Sequence, residues 1–186
     1  MSNSFNFRFP LLFALLFAVV LVSCDSTEPD DEGPGEEELI TRVVVTLTQG
    51  GNTITATAND GSGIGNGSLT VETLELAAGT TYTGRIELFN DQENEDITEE
   101  VDDERDEHQF FYTVQGGIAS AVNFAITDED SNGLPVGLTF TVTVNDGASG
   151  SGNVRIQLGH YDDAPKDGTT LSDETDIDFE LPISVN

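Results

Sequence analysis

Cysteine and basic residues are the scarcest features of this sequence of 186 residues. It contains 1 cysteine, so no intramolecular disulfide can form and the fold depends on its core. It has 6 Lys and Arg against 35 Asp and Glu, a formal net charge of −29. Because binding to nucleic acid needs clustered cations that displace counterions from phosphate, we expect no nucleic-acid partner.

The usual signatures of hydrolytic catalysis are also missing. No G-x-S-x-G segment occurs, and with 2 histidines in the chain any proposed catalytic triad would be arbitrary. We therefore predict that the protein is not an enzyme, and a hydrolase is the most remote of the functional alternatives. No cofactor is expected other than calcium, for which the loop Asp128–Gly133 is the candidate site.

Residues 1–23 have the pattern of a signal peptide. Arg8 is their only charged residue, and the apolar run Phe9–Val22 is shorter than the ~20 residues of a membrane-spanning helix. The run ends in Leu21-Val22-Ser23-Cys24, which resembles the lipobox of bacterial lipoproteins. The resemblance implies that the leader is cut before Cys24 and that this residue carries the lipid. An ordinary secretory signal followed by a chance cysteine is the alternative.

Residues 24–38 predict a lipidated, disordered stalk. The segment Asp25–Glu38 has eight acidic residues, two prolines, two glycines and no hydrophobic residue, so it cannot form a core. An acidic run after the lipidated cysteine resembles the signal that sends some lipoproteins to the outer face of the Gram-negative outer membrane. We expect attachment to the outer membrane through the lipid and display at the cell surface, with a periplasm-facing position as the alternative.

Residues 39–186 show the alternation typical of β-strands. In Thr139–Val144, for example, threonines alternate with Phe140, Val142 and Val144. Similar runs recur along the segment and predict about nine antiparallel strands in an all-β sandwich of immunoglobulin-like kind. The tryptophan and disulfide usual in that fold are absent, so the strand topology stays open.

The acidic segment 91–108 breaks the alternation. Ile97, Val101, Glu104 and His108 recur at helical spacing, which predicts one short helix over Thr98–Glu107. Asp96, just before it, is a suitable N-cap residue.

Histidines and carboxylates in two parts of the chain are candidate metal ligands. Glu100, Glu104 and His108 share one face of the predicted helix, and His160 continues the inward row of Val154, Ile156 and Leu158. A site containing Glu104, His108 and His160 would suit a transition metal. The plainer interpretation is a solvated acidic helix and a hydrogen-bonded histidine at the rim of the core.

A second candidate is the loop Asp128–Gly133, which matches the opening D-x-D-x-N-G of calcium loops. Its ligands would be Asp128, Asp130 and Asn132. The closing acidic ligand is absent, because Thr139 occupies that position. A hairpin turn between two strands explains the same residues.

Two further segments, Glu107–Tyr112 (EHQFFY) and Glu174–Asp178 (ETDID), join the lipobox and the acidic stalk in a resemblance. Together they are similar to a family of small, uncharacterised bacterial lipoproteins, some of which are labelled periplasmic-binding-fold proteins. The alternating strands differ from that α/β fold. The resemblance implies an envelope location and transfers no catalytic residue.

Two functions therefore compete. The first is a lipid-anchored lipoprotein with a β-sandwich that binds a glycan, a peptide or an envelope protein, through candidate contacts at Phe89, Phe111, Tyr112 and Tyr161. The second is a metal-handling lipoprotein. An exposed row of aromatic rings would favour glycan binding, whereas carboxylates and imidazoles that converge would favour metal.

Overall fold

The computed structural model describes residues 38–162 and 164–186. The predicted signal peptide, Cys24 and the predicted stalk up to residue 37 lie outside this part. The described residues form eleven strands and one helix: β1 Arg42–Gln49, β2 Asn52–Asn59, β3 Thr70–Val71, β4 Leu74–Leu76, β5 Thr81–Asn90, β6 Glu95–Asp96, α1 Ile97–Asp103, β7 His108–Gly116, β8 Val122–Ile126, β9 Thr139–Val144, β10 Gly150–His160 and β11 Glu174–Val185.

The strands form two sheets, which confirms the predicted all-β sandwich. The larger sheet has the order β3-β2-β1-β5-β9-β8, with β6 paired to β5, and the smaller has the order β4-β11-β10-β7. All pairs are antiparallel except β4 with β11. The count exceeds nine because the segment 69–76, whose pattern predicts one strand, forms both β3 and β4, and because the acidic segment contributes the two-residue strand β6.

The core lies between the two sheets and contains the inward half of each alternating strand. Val45, Phe140 and Val142 from the larger sheet and Ile156 and Leu158 from the smaller sheet are all buried. The threonines of the same strands face outward, for example Thr139 and Thr143. This division explains how so acidic a chain folds, since its carboxylates fall largely outside a continuous apolar layer.

Helix α1 begins at Ile97, one residue before the predicted start, and ends at Asp103, four residues before the predicted end. Asp96 is the N-cap, and its side chain accepts a hydrogen bond from the Thr98 N–H. Ile97 and Val101 are buried, while no basic residue lies in the last turn. Asp102 and Asp103 stand at the negative end of the helix dipole, which disfavours continuation. The chain instead turns through 104–107 and enters β7.

Candidate metal centre

The two histidines meet at one end of the smaller sheet. Strands β7 and β10 pair Tyr112 with Ile156, Phe110 with Leu158 and, last, His108 with His160. The imidazole rings stack with centroids 4.3 Å apart and an interplanar angle of 23°. The side chains of His108 and His160 are 0% and 5% exposed. Two imidazoles therefore occupy the position where the apolar row of the core ends.

A β-bulge brings a carboxylate to the pair. Leu158 pairs with Ile177, but the next residue, Gly159, pairs with Thr175, so Asp176 is the extra residue of β11. Alternation with Ile177 and Phe179 in the sequence predicts an outward-facing Asp176 beside Asp178, and this is wrong because the bulge turns its side chain inward. The Asp176 side chain is 0% exposed, with carboxylate oxygens 3.7 Å from His108 Nε2 and 3.5 Å from His160 Nδ1. Bulges commonly re-aim a side chain in this way.

Glu38 supplies a second enclosed carboxylate. The sequence assigned it to the stalk, yet its side chain is 6% exposed and its Oε1 lies 3.5 Å from His108 Nε2. Burial opposes ionisation of Glu38, but contact with His108 outweighs it and lowers the pKa of the carboxyl. Burial likewise opposes protonation of His108, and the negative charges of Glu38 and Asp176 raise the pKa of its imidazole.

The other nitrogen of each imidazole has a partner outside this group. His108 Nδ1 lies 3.2 Å from the carbonyl oxygen of Glu104, and His160 Nε2 lies 2.8 Å from Asp162 Oδ1. A carbonyl or carboxylate at one nitrogen holds a proton there and leaves the opposite nitrogen as a lone-pair donor. The donors left are Nε2 of His108 and Nδ1 of His160, the two atoms that face Asp176.

Three nitrogen–oxygen separations in this group are close to those between neighbouring ligands of a tetrahedral ion. Bonds of ~2.0–2.1 Å from zinc to nitrogen or oxygen place neighbouring tetrahedral ligands about 3.3 Å apart. The nitrogen–oxygen distances from His108 to Glu38 and from the two histidines to Asp176 are 3.5 Å, 3.7 Å and 3.5 Å. The Nε2 of His108 and the Oε2 of Glu38 are buried without a hydrogen-bond partner in the described part.

Glu104 lies on the solvent side of this group. One donor atom each from Glu38, Glu104, His108 and His160 lie within 4.8 Å of one another, and Glu104 is exposed. The structure thus brings together Glu104, His108 and His160, the three residues proposed from the sequence. It adds Glu38 and Asp176, which no pattern of spacing indicated, because one precedes the first strand and the other depends on a bulge.

The calcium-like loop has a different arrangement. Asp128 accepts hydrogen bonds from the backbone N–H groups of Gly137 and Leu138. One oxygen of Asp130 accepts from the N–H groups of Asn132 and Leu134, while the other lies 2.8 Å from Lys166 Nζ. The loop is therefore a hairpin turn whose buried acid is neutralised by an ammonium group. Calcium binding by Asp128, Asp130 and Asn132 stays a prediction.

The four candidate ligand-contact aromatics do not form one exposed row. Tyr112 stacks between Phe110 and Phe124 and donates to the carbonyl of Gly137, and burial raises the pKa of its hydroxyl well above 10.0. Tyr161 is buried and donates to the carbonyl of Thr170. Phe89 lies half-buried under the guanidinium of Arg42, and Phe111 is half-buried on β7.

Comparison with known proteins shows little similarity. No family model matches the chain, and no curated protein matches it. One solved structure is similar, the crystal structure of the S-layer protein SbsC domains 4 and 5, at 20% identity and a TM-score of 0.32. The match covers 76% of this chain and 64% of that one, so the chain spans less than two thirds of its length. Among the described residues no helix is long and apolar enough to cross a membrane.

Proposed function

We propose that this protein is a lipid-anchored envelope lipoprotein whose β-sandwich domain binds a divalent transition metal between His108 and His160. The observation that carries the proposal is the convergence of two buried imidazoles on two enclosed carboxylates, Glu38 and Asp176. Converging imidazoles and carboxylates distinguish a metal site from a glycan site. No exposed row of aromatic rings occurs in the part of the chain that the structure describes, where Leu39 is the only exposed large hydrophobic residue.

Charge balance favours a metal ion over protons. Glu38 and Asp176 are enclosed carboxylates that a nearby positive charge would stabilise, and the lysine of this chain, Lys166, lies against Asp130. Protonating both imidazoles would stack two positive rings at 4.3 Å. Like charges at such a distance repel by ~4 kcal/mol at an effective dielectric constant of 20. A single divalent ion balances both carboxylates without this repulsion.

The donor set selects the class of metal. Two imidazole nitrogens suit zinc, copper, nickel or iron, whereas calcium and magnesium prefer an all-oxygen shell. Asp162 and the carbonyl of Glu104 would hold the imidazoles in the required tautomers from outside the ligand shell. Glu104, exposed beside the buried donors, would complete the shell or guide entry of the ion.

Titration of the full-length chain with Co²⁺ at neutral pH tests metal binding. We expect the strong visible bands of tetrahedral cobalt to saturate at one tight equivalent, and Zn²⁺ to remove them by displacement. His108→Gln and His160→Gln should each abolish the bands, while circular dichroism verifies that the variants are folded. Calcium in place of Zn²⁺ should not displace cobalt. A titration of the wild-type protein without new bands and without heat would refute the proposal, and the histidines would then form a buried ion-pair cluster.

The membrane anchor is tested independently. Cys24→Ser should move the protein from the membrane fraction to the soluble fraction when the whole chain is expressed in a Gram-negative host. Several acyl chains give durable attachment where one gives only marginal binding. Intact-mass measurement of the membrane-derived wild-type protein should show a mature chain that starts at Cys24 and carries acyl groups. A free thiol without fatty chains would contradict the anchor and leave the metal site unaffected.

A further inference from the structure

We propose that the protein holds a second divalent metal ion at a solvent-facing position formed by Glu107, Asp162 and Nε2 of His160. The His160 imidazole would then bridge two ions, one buried and one accessible. This inference rests on the proposed function, because the buried ion occupies the opposite nitrogen of the same ring.

The two histidines differ in what faces their outer nitrogens. The Nδ1 of His108 faces a backbone carbonyl, that of Glu104, so this imidazole can only be a terminal ligand. His160 has carboxylates on both sides, with Asp176 3.5 Å from Nδ1 and Asp162 2.8 Å from Nε2. The His160 side chain is 5% exposed and has a carboxylate beside each ring nitrogen. Each nitrogen therefore lies where a cation could bind to it together with a carboxylate.

Backbone pairing brings the outer ligands together. Beyond the His108–His160 pair the ladder continues, because the N–H of Tyr161 donates to the carbonyl of Glu107 at 2.8 Å. This bond places Glu107 and Asp162, the residues next to the ladder's end, on the same side of His160. One donor atom each of Glu107, His160 and Asp162 lie within 4.8 Å of one another. The hydroxyl of Tyr161 is fixed to the carbonyl of Thr170, which holds the strand end in place.

Binding of the second ion replaces one proton on His160. The proton on Nε2, now held by Asp162, would be released to solvent and the metal would take its place, so that His160 becomes an imidazolate. Four carboxylates and one imidazolate would surround two divalent ions, so negative charge would exceed positive charge by one and no positive charge would be left uncompensated. The outer carboxylates are accessible, since Glu107 is exposed and the Asp162 side chain is 17% exposed. The outer ion should therefore exchange with chelators before the buried ion.

Isothermal titration of the full-length chain with Zn²⁺ tests the second position. High salt screens the acidic surface during the titration and suppresses diffuse binding. The wild-type protein should bind two equivalents, the weaker one releasing a proton that shows as a dependence of the heat on the buffer. Glu107→Gln should lose the weaker equivalent and keep the affinity of the tight one within about threefold, since Glu107 does not face the buried donors. Glu99→Gln, which removes the same charge from exposed helix α1, is the matched control and should keep both equivalents.

The outcomes separate this inference from the proposed function. One tight equivalent in both the wild-type protein and Glu107→Gln would overturn the second position and leave the buried site intact. Two equivalents in Glu107→Gln would also overturn it, because the second ion would then lie elsewhere on the surface. No binding at all would overturn both proposals.

Discussion

Lys166→Met should lower the free energy of unfolding by roughly 3–5 kcal/mol, the cost of removing one partner from a buried ion pair. The Lys166 ammonium is 1% exposed and lies 2.8 Å from Oδ2 of Asp130, whose side chain is 0% exposed. It also donates to the carbonyl oxygens of Arg105 and His108 at 2.7 and 2.9 Å. Methionine keeps the unbranched apolar part of the side chain but leaves a buried carboxylate and two carbonyls without this donor. Urea unfolding followed by circular dichroism measures the loss.

The double variant Lys166→Met/Asp130→Asn is the matched control. Asparagine keeps an oxygen that can accept the backbone N–H groups of Asn132 and Leu134, and removes the uncompensated charge. The double variant should therefore be more stable than Lys166→Met alone. A loss below about 1 kcal/mol in the single variant, in the range of an exposed pair, would contradict the structural role of Lys166.

The ion pair of Lys166 and Asp130 also makes the difference in unfolding free energy between the wild-type protein and Lys166→Met depend on pH. Burial opposes ionisation of Asp130, but Lys166 and the backbone amides lower its pKa below the usual 3.8. The stabilisation is therefore present above pH 3.8 and is lost as the pH falls through the lowered value. Acid titration should accordingly narrow the difference between wild-type protein and Lys166→Met.

Asp176→Asn should weaken binding of the buried metal ion more than 100-fold, beyond the ~10–100-fold typical of a residue outside the ligand shell. Asparagine has nearly the same shape, so the bulge can persist, but it lacks the negative charge that faces both imidazoles. Competition between Co²⁺ and a chelator of known affinity measures the change. Asp162→Asn should fall within the ~10–100-fold range, because Asp162 orients His160 without reaching the buried ion.

Asp178→Asn is the control for Asp176→Asn. It lies two residues along β11, faces outward and binds the guanidinium of Arg155. Its replacement should leave metal affinity unchanged. If Asp176→Asn binds Co²⁺ as tightly as Asp178→Asn does, Asp176 is not a ligand, and the geometry of the buried site has to be redrawn around Glu38 and Glu104.

The fold could be predicted from the sequence because its signal is local. Alternation of apolar and polar residues in Thr139–Val144 or in residues 177–185 specifies which side of a strand is buried, without knowledge of its neighbours. The N-cap at Asp96 could also be predicted from the sequence, since its capping hydrogen bond joins residues two positions apart. The early end of α1 could not, because it depends on where the chain has to turn into β7.

Only part of the candidate metal site could be predicted from the sequence. The sequence placed His160 at the rim of the core and His108 on a face of the predicted helix. Their contact depends on the register of β7 against β10, across 52 residues of sequence, and no local spacing encodes it. Asp176 fell on the wrong face because one extra residue in β11 reverses the alternation. The sequence showed the D-x-D-x-N-G motif of the Asp128 loop but could not show that Lys166 lies against Asp130.

Composition and alternation by themselves determined an acidic, disulfide-free, all-β chain with a lipobox-like segment before its domain. Tertiary structure alone decided that two histidines, a bulged aspartate and the first described glutamate share one enclosed space. The physical reason is that the buried side of a strand follows from residues that are neighbours in the sequence. A ligand shell needs side chains from distant segments, and the register between those segments is set only when the sheets fold.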